Sequence, residues 1–326
     1  MTLLLDDAAV RAGFDWNQAV SALRDAYGAD VATTRYPPRA MARGDHGWLR
    51  TMSGIPTGEG LMGAKHIAVA VKDVKGSLLI VLFDQRTARL VALLDGLAVT
   101  GYRTAATSAL AADQLSVPGP LDVAVIGSGF EAQNHVRALA AMRELTSVRV
   151  YSPRAESRAR FAAELADLPA PVVTADGPET AVADASLIIC AARSHDESPT
   201  LLGEWLRPGM TVVSIGSTLP EQREVDTTVI ARSDVIVADV VEEVLDETGD
   251  LIAARTAGID VTGGIKSLAD LVGGRHPGRT DADQIVLYKS VGSAVQDLAV
   301  AAMCARNAER LGLGTQTPDF VIAKGK

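Results

Sequence analysis

The sequence predicts an α/β protein of two domains, a doubly wound parallel sheet and a smaller α+β domain. At 326 residues the chain is longer than one hydrophobic core usually serves. From Leu121 onward, short and almost continuously apolar strands alternate with helical patterns, as in a parallel sheet covered on both faces. A Pro/Gly cluster, SVPGP at 116–120, separates that region from what precedes it.

In the N-terminal part, WNQAVSALRDAY (16–27) has helical spacing. LLIVLF (78–83) and LVALLD (90–95), separated by DQRTAR, read as an antiparallel hairpin. The Ala-rich run LAVTGYRTAATSALAADQL (97–115) is helical and stops at the Pro/Gly cluster. The strands DVAVI, VRVY, PVVT, SLIIC, TVVSI and DVIVAD follow, with helical segments such as RAESRARFAAELAD between most of them. After IVLYKS comes GSAVQDLAVAAMCARNAERLG, a helical segment apolar enough to need a large docking surface, expected on the first domain. The expected domains are residues 1–117, completed by about 292–326, and residues 118–291.

Composition narrows the function. Lys and Arg number 31 against 40 Asp and Glu, a net charge of −9, which disfavours nucleic acid because phosphate binding needs a concentrated basic face. No segment approaches the ~20 apolar residues of a membrane span, and MTLLLDDAAV has no basic export region. The two cysteines, Cys190 and Cys304, lie far apart in apolar surroundings, so a reducing cytoplasm is the expected compartment. His46, His66, His135, His195 and His276 lack metal-ligand spacing. His195 follows a strand end, where doubly wound folds bind ligands.

The stretch DVAVIGSGFEAQNHVRALAAM (122–142) reads as strand, glycine turn and helix. Gly127, Gly129 and Ala132 form G-x-G-x-x-A, a permitted form of the dinucleotide fingerprint of a Rossmann-type domain. Gly127 permits the tight turn, Gly129 admits a pyrophosphate to the backbone, and Ala132 keeps the helix close to the sheet. The N–H groups around Phe130 and Glu131 then face the anion. An NAD site of this kind carries an acid about 20 residues further on, for the ribose hydroxyls. Here Ser152 stands in its place, with Arg154 and Arg158 beyond it. Those guanidinium groups suit a 2′-phosphate, so NADP(H) is the favoured cofactor, with NAD possible.

Three basic residues stand in surroundings unlike a solvated surface: Arg39 in RYPPRAM, Lys65 in MGAKHIAVAV and Arg103 in DGLAVTGYRTAATSA. With the order hairpin, DG, RTAA helix, Pro-rich linker and G-x-G-x-x-A, the chain resembles the ornithine cyclodeaminase/mu-crystallin family from about Arg39 to the helix after Lys289. The most specific stretches are LLDGLAVTGYRTAATSA and AVIGSGFEAQNH. The resemblance implies that Arg39, Lys65 and Arg103 hold a substrate carboxylate and that Lys65 is the nearest candidate proton carrier. It also implies that Arg103, Thr104, Ala191, Ile215, Gly216 and Ser217 line the cofactor, and that the N-terminal domain forms a homodimer. Asp297 resembles a common family position near the site, although it could equally cap or pair within its helix.

One departure bears on the reaction. Family members that cyclise ornithine carry an Asp at the position of Thr218 and usually a Lys at that of Gln222, and this chain has neither. A threonine hydroxyl cannot shuttle protons between ammonia and an amine near neutral pH. The mu-crystallin-like branch, which reduces imines of α-keto acids, also lacks that acid. The expected function is therefore an NADPH-dependent reductase of small α-imino acids, with Thr218 beside the substrate. The alternatives are a cyclodeaminase-type lyase with bound NAD, or a cofactor-binding protein with little catalysis.

Overall fold

The computed structural model describes residues 1–29, 35–72, 75–194, 196–261, 263–321 and 323. Its strands, in chain order, are β1 (Thr2–Leu5), β2 (Ala40–Arg43), β3 (Gly47–Gly54), β4 (Leu61–Ala70), β5 (Lys75–Asp84), β6 (Leu90–Asp95), β7 (Leu121–Ile126) and β8 (Leu145–Tyr151). These are followed by β9 (Val172–Thr174), β10 (Leu187–Cys190), β11 (Thr211–Ser214), β12 (Val235–Ala238), β13 (Ile265–Ser267), β14 (Val286–Lys289) and β15 (Thr315–Thr317). The chain divides into two compact units, Met1–Thr104 with Gly292–Lys326, and Ala105–Val291. The division falls inside the helix Gly96–Leu115, whereas the sequence reading places it at the Pro/Gly cluster after Val117.

The first unit is built on a mixed sheet of order β15-β1-β6-β5-β4-β3-β2. The expected hairpin is present as β5 and β6, antiparallel, and it extends through β4, β3 and β2 as a meander. β1 joins β6 in parallel and β15 closes the other side. The helix Ala294–Leu311 packs against β3, β4 and β5, and the helices Asp7–Gly13 and Trp16–Gly28 pack against it in turn. Asp6 and Asp15 start those two helices by accepting from the N–H groups of Ala9 and Gln18, both at 2.8 Å.

The second unit is a wholly parallel sheet of order β13-β12-β14-β11-β10-β7-β8-β9. From β7 the chain runs outward through β8 and β9, and from its neighbour β10 it runs the other way through β11. The strand order therefore reverses between β7 and β10, and doubly wound sheets bind ligands beyond the carboxyl ends of strands at such a point. Val123, Val125, Ile188 and Val212 are fully buried, as a sheet covered on both faces requires.

Candidate functional site

In the first unit the chemistry gathers around Lys65. On β4 it faces Met52 across to β3 and Ile80 across to β5, and all three are buried. Strand alternation turns His66 to the other face, where its Nδ1 lies 3.0 Å from the Thr51 hydroxyl. The helix Ala294–Leu311 brings Asp297 to the Lys65 side, with Oδ1 2.7 Å from Lys65 Nζ and 2.9 Å from Arg103 Nε. Asp297 is completely buried, four residues past the N-cap Ser293, and its Oδ1 pairs with cations outside its own helix. Lys65 also donates to the Thr100 hydroxyl at 3.5 Å.

Arg103 is steered by two further contacts. Its Nη1 donates to Gln296 Oε1, and Gln296 Nε2 donates to the Tyr27 hydroxyl at 2.9 Å. Gly292 has φ +84°, and a Cβ there would meet the guanidinium nitrogens of Arg103 at 2.5 and 2.7 Å. Only glycine both adopts that backbone conformation and leaves the space.

Arg50 joins this face without having been singled out in the sequence. It lies on β3 two residues from Met52 and is 7% exposed, with its guanidinium carbon 5.5 Å from the Trp48 ring centre. Burial pulls the Lys65 ammonium down to about 8; Asp297 opposes the fall, while Arg103 and Arg50 add to it. One carboxylate and two guanidinium groups thus dominate the field at Lys65. Arg39 stands just ahead of β2, two strands from β4, with its guanidinium nitrogens shielded from solvent. Thr104, one turn after Thr100 in the helix, donates its hydroxyl to the Thr100 carbonyl at 2.7 Å.

In the second unit the glycine turn has the geometry that a dinucleotide needs. Gly127 follows β7 with φ +114°, and a Cβ there would lie 2.5 Å from the Ala191 carbonyl oxygen after β10. Gly129 is the N-cap of the helix Phe130–Met142, without a side-chain cap, and a Cβ on it would meet nothing within 4 Å. Ala132 is fully buried against the sheet, whereas Phe130 is exposed. Open space before an uncapped helix start fits a pyrophosphate. Glu131, in the first turn, lends its carbonyl to His135 Nδ1 at 2.7 Å, and His135 Nε2 reaches Ser108 at 3.0 Å, which gives this histidine a structural place.

At the end of β8, Ser152 is buried and lies 3.0 Å from the Ser128 hydroxyl of the glycine turn. Arg158 bends back over this corner. It donates to the Ser152 carbonyl at 2.8 Å and lies over the Tyr151 ring at 5.9 Å, while its nearest carboxylate, the exposed Asp176, is 3.9 Å away. Arg154 is exposed at the N-cap of the helix Ala155–Glu164.

The turn after β11 carries Ile215, Gly216, Ser217 and Thr218. Gln222 folds it: its side-chain oxygen accepts from the Thr218 N–H at 3.0 Å and hydroxyl at 3.3 Å, and its carbonyl accepts from the Ser217 hydroxyl at 2.6 Å. The Gln222 amide oxygen is therefore the partner of the Thr218 side chain among the described residues. His195 lies outside the described residues. Among the described residues no group of His, Cys, Asp or Glu could hold a metal, and no helix is long and apolar enough to cross a membrane.

The glycine turn and the buried Lys65–Asp297–Arg103 cluster stand in a chain whose residues 10–311 match the model of the ornithine cyclodeaminase/mu-crystallin family. The chain belongs to this family. It is 30% identical to ketimine reductase mu-crystallin of Mus musculus over 238 residues, 73% of this chain and 71% of that protein. It is 30% identical to the Delta(1)-pyrroline-2-carboxylate reductase of Paracoccus denitrificans over 305 residues, 89% and 92% of the two chains. Its fold is similar to that of the Thermococcus litoralis Delta(1)-pyrroline-2-carboxylate reductase in complex with NADH and L-proline. There the TM-score is 0.88 with 25% identity, over 97% of this chain and all of the other.

Proposed function

We propose that this family member is an NAD(P)H-dependent reductase of small α-imino acids, adding hydride to C2 of an imine that carries a carboxylate. The observation that carries the reading is the convergence of Lys65 and Arg103 on Asp297 in a buried face that Arg50 shares. A field of several fixed cations around one carboxylate favours a second anion, and guanidinium forks match a carboxylate bidentately. Arg39, Lys65 and Arg103 are the residues assigned to hold that group, and Lys65, whose ammonium titrates at about 8, is assigned to protonate the imine nitrogen. The nicotinamide supplies the hydride; the protein supplies orientation and charge.

For the cofactor, Gly127, Gly129, Ala132 and the N–H groups at Phe130 and Glu131 are assigned to the pyrophosphate. Thr104, Ala191, Ile215, Gly216 and Ser217 are assigned to the rest of the dinucleotide. NADPH is the preferred form in this reading, supported by Ser152 in place of an acid and by Arg154 and Arg158 around it. In this reading the protein is cytoplasmic and forms a homodimer through its first unit; the dimer is supported by the exposed Leu49 and Leu79 on the sheet face opposite Lys65.

Thr218 and its Gln222 partner favour the reductase over the lyase, because neither side chain takes up a proton near pH 7. The test is a panel assay. NADPH oxidation is followed with pyruvate plus ammonia or methylamine and with cyclic imino acids, beside ammonia release from ornithine and lysine. Reduction of the imines without ammonia release is expected. Cyclisation of ornithine without net NADPH consumption would reject the reductase in favour of the lyase.

A further inference from the structure

The second unit contains a buried charge cluster that neither the glycine turn nor the substrate-holding residues account for. Glu224 is fully buried, and its side chain accepts from three donors: the Ser214 hydroxyl at 2.6 Å and the Gly216 N–H at 2.7 Å on Oε2, and the Ala192 N–H at 3.1 Å on Oε1. Gly216 follows β11 and Ala192 follows β10, so one carboxylate ties together the two turns assigned to the cofactor. Behind it, Lys289 at the end of β14 donates to the Ser214 hydroxyl at 2.8 Å and pairs with Asp250 Oδ2 at 2.8 Å. Asp250 Oδ1 in turn accepts from the backbone N–H of Glu224 itself at 2.8 Å and lies 3.6 Å from Arg223 Nε.

We infer that Glu224 is a positioning residue for the cofactor, whose ionised carboxylate holds the turns after β10 and β11 in the shape that the dinucleotide requires. The hydrogen-bond inventory supplies the reason. An ionised carboxylate only accepts, and all three of these partners donate. A proton on Oε1 opposes the Ala192 N–H and releases that turn, and a proton on Oε2 either opposes the Gly216 N–H or reverses the Ser214 hydroxyl, which already accepts from Lys289. Burying a carboxylate this completely is costly, and the neighbouring Lys289 offsets part of that cost.

Burial lifts the Glu224 carboxyl to about 7. Lys289 and the bonds from Ser214 and Gly216 hold it down, and Asp250 pushes it further up. The charged and titratable groups around it are Lys289 on β14, Asp250 on the helix Gly249–Thr256, Arg223 beside it in the chain, and Cys190 at the end of β10. Burial raises the Cys190 thiol well above its usual range, so it stays neutral here.

The inference rests on the dinucleotide reading proposed above, and direct NADH binding separates the two. NADH is the probe because it lacks the 2′-phosphate, whose second ionisation lies near about pH 6. In the wild-type protein the NADH dissociation constant should rise as pH falls below about 7, by roughly ten-fold per pH unit, because the competent form must lose a proton first. Glu224→Gln, which puts an amide N–H₂ against one of the donors, should bind NADH at least ten-fold more weakly at pH 8 and lose the slope. Ser214→Ala removes a bond that holds the carboxyl down, so it should keep the slope and move its midpoint to higher pH; with the wild-type profile it decides the matter if Glu224→Gln does not fold. A flat wild-type profile, an unchanged slope in Glu224→Gln, or an unmoved midpoint in Ser214→Ala overturns the inference. Failure to bind either NADH or NADPH at any pH overturns the dinucleotide reading itself.

Discussion

Asp297 Oδ1 lies 2.7 Å from Lys65 Nζ and 2.9 Å from Arg103 Nε, a single buried oxygen shared by two cations that belong to different elements of the first unit. The arrangement fixes the head of Lys65 and sets its proton affinity together with its burial. It also couples Lys65 to Arg103, so substitutions at the three positions should not act independently.

The pH dependence of imine reduction should carry the signature of Lys65. Its ammonium is held at about 8, below the usual lysine range, chiefly by burial. As the acid it must be protonated, so kcat/KM should be maintained below about pH 8 and fall as pH rises through that value. Lys65→Ala should lose this limb along with most of the turnover. A limb that stays in place in Lys65→Ala would assign the proton to another group.

Asp297→Asn should move the same limb to lower pH, because the carboxylate is the group that raises the Lys65 proton affinity. It should also destabilise the protein, since removing one partner of a buried ion pair costs about 3–5 kcal/mol. Pairing a denaturation curve with the pH profile of the purified variant checks both; a limb that moves upward contradicts the assignment.

Arg103→Ala should lower kcat/KM by about ten-fold or more, the equivalent of a charged hydrogen bond of about 1.5–3 kcal/mol in a desolvated site. Gln296→Leu should weaken substrate binding by a smaller factor, because it removes the side chain that holds Arg103 toward Tyr27. Steady-state kinetics on the imine that the panel assay identifies give both values. Arg103→Ala with unchanged kcat/KM would remove this residue from the carboxylate site.

Arg158→Ala should reduce NADPH affinity about ten-fold while leaving NADH nearly unchanged, since its guanidinium stands at the corner where a 2′-phosphate is assigned. Wild-type protein should bind NADPH more tightly than NADH at one fixed salt concentration. Fluorescence titrations of both nucleotides on both proteins test this, and tighter NADH binding by the wild type would reject the NADP preference.

In solution, light scattering should give the mass of a dimer at micromolar concentration. Leu79→Glu, on the exposed sheet face, should shift the population toward monomer. A monomer mass for the wild type over that range refutes the dimer.

Much of the fold is legible in the sequence, because the signals are local. The glycine turn after β7 announces itself through Gly127 and Gly129 between an apolar strand and a helix, and the parallel strands of the second unit are apolar runs of the expected length. The hairpin of β5 and β6 is legible for the same reason. The rest of its sheet is not: β2 and β3 alternate weakly, β15 is three residues long, and β1 pairs with residues 92–94 and 315–317.

At the candidate site the division follows sequence distance. Lys65 and Arg103 stand out only together with Arg39 and the motif order around them, and Thr218 stands out as a missing acid only beside the family pattern that the chain resembles. Their partners do not, since Lys65 and Asp297 are 232 residues apart and meet only because the last long helix returns to the first sheet. Arg50 reaches the Lys65 face only through the pairing register of β3 with β4, and a slip of one residue would send it to the other side. Glu224, Lys289 and Asp250 look like ordinary charges along the chain; the closure of β10, β11 and β14 into one sheet buries them together. Composition and periodicity determine which elements form, because those signals act over a few residues. Which charges face one another inside the protein is decided by packing, because burial and proximity exist only once the chain has closed on itself.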